Sequence, residues 1–118
     1  MTTREVVELY IGAWNARDEG ERRTLLEQCW TDDGTYTDPQ SDERGREQLS
    51  AHIEGLHGRM PGARFEVMAG PDHHHRYVRF IWRLTSAGAP PLEGMDVGEL
   101  APDGRLQSIV GFFSALPT

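Results

Sequence analysis

Three polar residues stand where an amphipathic chain ought to bury apolar ones: Tyr10, Asp38 and Asp96. Tyr10 lies on the apolar face of the first helical stretch, Asp38 closes the run Gly34-Thr35-Tyr36-Thr37-Asp38-Pro39, and Asp96 sits in a late strand between Gly94 and Gly98. A buried carboxylate is costly unless it is hydrogen-bonded, protonated or facing a cavity. Two carboxyls and a phenol gathered in one hollow would form a proton-transfer site. The competing reading of Asp38 is a turn aspartate capping backbone N–H groups before Pro39. That of Tyr10 is a core aromatic whose hydroxyl is satisfied locally.

Positioning these residues falls to a single domain spanning residues 1–118. A chain of this length buries roughly two-thirds of the surface its unfolded form exposes. Its net charge of −7 and pI near 5.1 leave no basic stripe for a phosphate backbone, so nucleic acid is not an expected partner. Arginines are scattered among acids, which gives anionic lipid no polybasic run to bind, so no membrane partner is expected. The N-terminus lacks the apolar run of a signal peptide, and the cytoplasm is the expected location. One cysteine, Cys29, excludes an internal disulfide and a multi-cysteine metal site. No phosphate loop or metal-ligand spacing occurs, so neither cofactor nor metal is expected.

Thr2 with Glu5 reads as a capping box, followed by Val6, Leu9, Tyr10, Ala13 and Trp14 at helical spacing. Asp18 with Glu21 opens a second helix lined by Leu25, Leu26, Cys29 and Trp30. Asp32-Asp33-Gly34 is expected to break it before a short strand, Thr35 to Asp38. Gln40 to Gly45 reads as a loop, and Arg46 to Met60 as a third helix stopped by Pro61-Gly62. The period then changes to two, predicting strands over Arg64–Ala69, Arg76–Thr85, Leu92–Leu100 and Arg105–Phe113, the last hairpin turning at Asp103-Gly104. Helices first and a meander after predict an α+β fold: three N-terminal helices packed on a curved antiparallel sheet.

Alternation indicates what shares a face. Leu92, Gly94, Asp96, Gly98 and Leu100 face one way, and the flanking glycines leave room beside Asp96. Val78, Phe80, Trp82 and Leu84 share a face that could wall a pocket, while Arg79 points to the other side. Tyr36 and Asp38 point together. His52 and His57 flank the apolar stripe of the third helix, and either could reach a cavity mouth. The resulting hollow, with apolar walls and few polar groups, suits a small apolar molecule. The run His73-His74-His75 reads as a solvated turn, because consecutive strand residues alternate faces and zinc wants three or four protein ligands.

Tyr10-Ile11-Gly12-Ala13-Trp14-Asn15-Ala16-Arg17-Asp18 and Trp30-Thr31-Asp32-Asp33-Gly34-Thr35-Tyr36-Thr37-Asp38-Pro39 resemble the N-terminal half of the SnoaL-like proteins. Those belong to the superfamily of nuclear transport factor two, with its polyketide cyclases and ketosteroid isomerases. Gly94-Met95-Asp96-Val97 and Asp103-Gly104-Arg105-Leu106 resemble the C-terminal hairpin of that superfamily. The resemblance implies a cone-shaped α+β fold, a curved sheet and helices enclosing a deep pocket. Matched by position to the ketosteroid isomerases, Asp38 is the general base, while Tyr10 and a protonated Asp96 donate to the enolate oxygen. Trp14, Tyr36, His57, Phe80 and Trp82 are the expected substrate-binding residues. Tyr36 replaces an apolar residue of that pattern, and Trp14 and Trp82 add bulk that narrows the site against a steroid.

Two functions follow as expectations. One is an isomerase- or aldol-cyclase-type enzyme acting on a small carbonyl compound. The other is a non-catalytic module of the same fold that binds a ligand or dimerises. Water activation in the manner of limonene epoxide hydrolase is the weaker alternative, because Arg79 lies off the proposed wall. Tyr77, Ile81 and Phe112 or Phe113 give the sheet an apolar outer face, for which a homodimer is the simplest cover.

Overall fold

The computed structural model describes residues 1–114, 116 and 117. Helix α1 runs Thr3–Asn15, α2 Glu19–Cys29 and α3 Gly45–Arg59. The strands are β1 Trp30–Asp38, β2 Ser41–Arg44, β3 Arg64–His74, β4 Tyr77–Ser86, β5 Ala89–Leu100 and β6 Leu106–Phe112. They form one sheet in the order β2-β1-β6-β5-β4-β3, against which the helices pack. The α+β cone is as expected, with one difference. Strand β1 pairs parallel to β6, so the sheet is mixed rather than antiparallel throughout.

The expected caps form. Thr2 Oγ1 accepts from Glu5 N while Glu5 Oε1 accepts from Thr2 N, each at 3.1 Å. Asp18 Oδ2 accepts from Glu21 N at 2.8 Å. These bonds satisfy donors that the first helical turn leaves unpaired.

Helix α2 ends at Cys29, one residue earlier than its apolar spacing predicts, and Trp30 begins β1. Asp32-Asp33-Gly34 is an irregular part of that strand rather than a break. The glycine explains why: a Cβ at Gly34 would stand 2.5 Å from Trp30 Nε1, so the indole folds flat over the bare backbone and is fully buried. Residues 41–44, expected as loop, form edge strand β2, paired Tyr36↔Glu43 and Asp38↔Ser41. Its residues, Ser-Asp-Glu-Arg, have no apolar face to alternate, and such polarity is how an exposed edge resists further pairing. Strand β3 continues past Ala69, its register shifting once between Val67 and Ala69 and again between Ala69 and Asp72, and pairs His74 with Tyr77. The polar turn expected at His73-His74-His75 falls at the end of that hairpin, His75 adopting φ 54.

One buried cation clamps the helical layer. Arg22 is 1% exposed; its Nε donates to Ser50 Oγ (2.9 Å), Nη1 to Ala16 O (2.8 Å) and Nη2 to Glu54 Oε1 (3.2 Å). The guanidinium ties the end of α1 to α2 and α3, and so sets the spacing between Trp14 and His52. Among the described residues no helix is long and apolar enough to cross a membrane.

Removing a buried, multiply bonded charge strands its partners. Arg22→Ala is therefore expected to lose about 2–4 kcal/mol of stability, measured by urea denaturation with the m-value unchanged. A loss within about 0.5 kcal/mol would show that the clamp is dispensable.

Candidate functional site

Register across three strands brings the two aspartates together. Phe80 pairs with Asp96, and Asp96 with Gly111. Strand β1 extends the row: Thr37 pairs with Val110, and a Cβ on Gly111 would lie 3.6 Å from the Asp38 Cβ. Asp38, Gly111, Asp96 and Phe80 thus stand side by side on the inner face. The two aspartate backbones are about 9–10 Å apart, two strand spacings. A Cβ at Gly111 would also lie 3.0 Å from Asp96 Oδ1, so the glycine keeps the strip between the carboxyls open. Composition and alternation gave no reason to single out Gly111; a glycine inside an apolar strand was its one visible signal.

Asp96 is 5% exposed, and its Oδ1 accepts from Trp82 Nε1 at 3.0 Å. Gly94 makes this bond reachable. It pairs with Trp82, and a Cβ there would be 2.2 Å from the indole, which lies across the bare backbone toward Asp96. The room expected beside Asp96 is therefore taken: Trp82 fills the Gly94 side, and Ile109 and Leu106 fill the Gly98 side. Burial, reinforced by the Asp38 charge and only partly opposed by the Trp82 bond, pushes the Asp96 carboxyl up to about 7.

Asp38 is handled in the opposite way. Burial raises its pKa, but donors outweigh it and leave the carboxyl below its ordinary value. Tyr36 Oη donates to Oδ2 at 2.6 Å, while Gln40 N and Ser41 Oγ donate to Oδ1 at 2.8 and 2.9 Å. The Gln40 bond is the turn cap that the local sequence suggested, and it coexists with a place on the cavity wall. Tyr36 holds its own proton firmly, because burial and the neighbouring carboxylate both disfavour a phenolate.

These residues line a cavity of about 230 Å³. Tyr10, Trp14 and Tyr36 line it together with Asp38, Trp82 and Asp96. Gln40, Arg59 and Leu92 are its exposed contributors, Leu84 lies on the wall with Trp82 as alternation indicated, and Phe65 and Phe113 add apolar surface that the sequence reading missed. The volume exceeds the ~150 Å³ that holds benzene and falls short of the roughly 300–1,000 Å³ usual for drug-sized ligands. Among the described residues no group of His, Cys, Asp and Glu could hold a metal ion.

Two expected binding residues lie elsewhere. His57 does not line the cavity; its Nε2 is 2.7 Å from the Trp14 carbonyl oxygen, to which it donates, satisfying the end of α1. His52, one helical turn earlier, is the histidine on the wall. Its Nε2 is 3.3 Å from Ser41 Oγ and 4.0 Å from Asp38 Oδ2, and its ring packs on Trp14 and Tyr36. Phe80 is buried behind the cavity, its ring edge-on to Tyr10 at 6.4 Å, because the Tyr10 ring covers it. Arg79 is exposed on the outer face and paired with Asp72 at 3.1 Å, away from both carboxyls.

Comparison with known proteins agrees with this fold. The SnoaL-like domain model matches residues 7–109. A crystal structure from Agrobacterium tumefaciens, described as a candidate isomerase of the SnoaL-like family, shares 35% identity at a TM-score of 0.88. The match covers 98% of this chain and 100% of that one. A SnoaL-like protein of unknown function from Burkholderia thailandensis superposes at TM-score 0.74 with 20% identity, covering 96% and 94% of the two chains. An NTF2-like protein of unknown function from Cytophaga hutchinsonii gives 0.73 with 18% identity over 97% and 91%. At such identities the last two share the fold alone. No curated protein matches the sequence. On the domain match over nearly the whole chain, and the close relative with it, this protein belongs to the SnoaL-like family of the NTF2-like fold.

Proposed function

We propose that the chain is an enzyme of proton transfer on a small, mostly apolar carbonyl compound, performing an isomerisation or an aldol-type ring closure. Asp38 removes a proton alpha to the carbonyl, and Tyr10 with neutral Asp96 donates to the enolate oxygen as charge develops there. The observation that carries this reading is the opposed tuning of two carboxyls on one cavity: Asp38 held below its ordinary value, Asp96 pushed up to about 7. Environments that drive two acids apart assign one as base and the other as hydrogen-bond donor. The relative described as a candidate isomerase points the same way. The cavity volume favours a one- or two-ring substrate over a steroid. On this reading the protein acts in the cytoplasm.

One observation favours the alternative, a non-catalytic binding module. Three donors already engage Asp38, and a carboxylate offers about four acceptor positions, so little basicity is left over. Asp38→Asn separates the two readings. With 3-cyclohexen-1-one as probe, conversion to the conjugated enone is followed by ultraviolet absorbance. The variant is expected to lose about 10²–10⁴-fold in rate while melting within a few degrees of the parent. An unchanged rate identifies a binding module.

The raised Asp96 pKa has a stability consequence of definite sign. Between about 4 and 7 the folded protein keeps a proton that the unfolded chain releases, so stability falls as pH rises through that window and levels off above it. Asp96→Asn removes the titration. It is expected to be more stable than the parent at pH 8, by on the order of 2–4 kcal/mol, with the gap closing toward pH 4. Chemical denaturation at both pH values checks this; a constant gap would mean that Asp96 does not titrate there.

We also infer a homodimer built on the outer sheet face. Ile81, Met95 and Phe112 stand in one row and Val97 beside Val110 in the next, with Phe112 57% exposed. Phe112→Glu is expected to give a monomer by light scattering at micromolar concentration, the parent scattering as a dimer. A monomeric parent would refute the assembly and leave the cavity reading untouched.

A further inference from the structure

Every fixed side-chain cation in this chain is an arginine, in a sequence where acids outnumber them nineteen to twelve. Seven of the twelve hold a carboxylate in an ion pair. Arg59 does not. Among the described residues its guanidinium has neither an ion pair nor a hydrogen bond, and it is the one arginine that lines the cavity. The sequence explains the missing partner. The residues three and four positions before Arg59 are Leu56 and Gly55, and those after it are Gly62 and Ala63, beyond the end of α3. Arg23, by contrast, has Glu19 at that spacing and pairs with it at 3.0 Å.

Helix α3 presents His52, Leu56, Arg59 and Met60 to the cavity, the spacing of a single helix face. Seven residues separate His52 from Arg59, about 10 Å along the axis. The His52 end marks the base, with Nε2 4.0 Å from Asp38 Oδ2; the Arg59 end is exposed and marks the mouth. Helical side chains tilt toward the N-terminus, and this one does so. A Cβ at Gly55 would stand 3.2 Å from Arg59 Nη1, so the guanidinium lies back over the preceding turn, in room that the glycine leaves. A last-turn position suits any cation, because the helix C-terminus is its negative end. That accounts for the charge, but not for a guanidinium laid back along a cavity rim without a counter-ion.

We propose that Arg59 is a specificity-determining residue that binds a carboxylate at the far end of the substrate, so that the substrate class is a small monocyclic oxo acid. The inference rests on the proton-transfer reading for the carbonyl end only. A planar guanidinium matches a carboxylate through two parallel hydrogen bonds, which a point charge does not. Between the two ends, Leu56 and Met60 offer an apolar surface to the ring. The charges also set the direction of binding. Asp38 is held below its ordinary pKa and is negative at neutral pH, so it repels a carboxylate placed beside it. Charge interactions weaken with distance, and at the mouth the guanidinium outweighs that repulsion. A substrate entering carboxylate-first meets Asp38; one entering carbonyl-first leaves its anion on Arg59. The mouth thereby presents the carbonyl to the acids at every encounter.

The test is isothermal titration of the full chain with 4-oxocyclohexane-1-carboxylate and with its uncharged amide, 4-oxocyclohexane-1-carboxamide, which has nearly the same shape. At neutral pH and low ionic strength the parent is expected to bind the acid about five- to ten-fold more tightly than the amide. Arg59→Gln is expected to erase that preference while leaving the amide affinity unchanged, and Arg59→Lys to keep part of it. About 0.5 M salt is expected to shrink the preference in the parent. Because Arg59 is exposed and unpaired, the variants are expected to melt with the parent. Equal affinities for acid and amide in the parent overturn the proposal, as do absence of binding by either and a preference that survives Arg59→Gln. If the Arg59-dependent preference holds while Asp38→Asn retains full enone conversion, the anion site stands and the proton-transfer reading alone fails. If conversion depends on Asp38 but acid and amide bind alike, only the anion site fails.

Discussion

A carboxyl group withdrawn from water must be hydrogen-bonded or neutralised, and at Asp96 the fold does both. The Trp82 indole gives one bond to Oδ1, and burial does the rest by favouring the neutral acid. That single contact organises the centre of the sheet. It requires an indole lying flat across β5, which requires no side chain at Gly94; it requires an open strip toward β1, which requires none at Gly111. Tyr10, Phe80 and Trp82 then close around the acid as apolar walls. Replace either glycine by a residue with a Cβ, and the acid, its partner or the cavity has to move.

The contrast with Asp38 shows how one sheet produces two kinds of acid. Asp38 ends β1 at a tight turn into a polar edge strand, where a backbone N–H and a serine hydroxyl are to hand. Asp96 lies mid-strand, its backbone committed to ladder bonds on both sides, so only a side chain can reach its carboxyl. Depth and strand position together separate their proton affinities: burial raises Asp96, and the donors at the strand end hold Asp38 down. The parallel pairing of β1 with β6 makes the comparison possible, since it carries a strand from the N-terminal half to within two strand spacings of β5.

Much of this was legible in the chain. The caps at Thr2 and Asp18, the period-two strands after Ala63 and the inward faces of β4 and β5 follow from local rules that tertiary structure leaves intact. The errors fall where long-range pairing overrides local pattern. Residues 41–44 carry no apolar alternation and become a strand only because β1 offers them an edge. Trp30 has helical spacing with Leu26, yet joins β1 because Gly34 lets its ring lie over the strand. The parallel register could not be read from strands that look alike in either orientation. In the site, Asp38, Tyr10 and Asp96 were visible as polar intruders on apolar faces. The choice between His52 and His57 was not, for both flank the same stripe and only the tertiary approach of α3 to the end of α1 gives His57 the Trp14 carbonyl.

The donors that make Asp38 acidic set a limit on its chemistry, and their identities decide how strict the limit is. Gln40 donates from the backbone and cannot withdraw, but it engages Oδ1. On Oδ2 the donor is the Tyr36 hydroxyl, a rotor that can present a lone pair in place of its proton by turning about one bond. A proton taken up on Oδ2 therefore need not leave a buried acid facing a donor, since the phenol reverses and accepts. The Ser41 hydroxyl has the same freedom toward Oδ1, with His52 3.3 Å away on its far side. A carboxylate surrounded by fixed amides would be locked in its charged form. Two hydroxyls among three donors leave this one free to change state, and so make its low proton affinity compatible with a base that must be protonated briefly and then give the proton back.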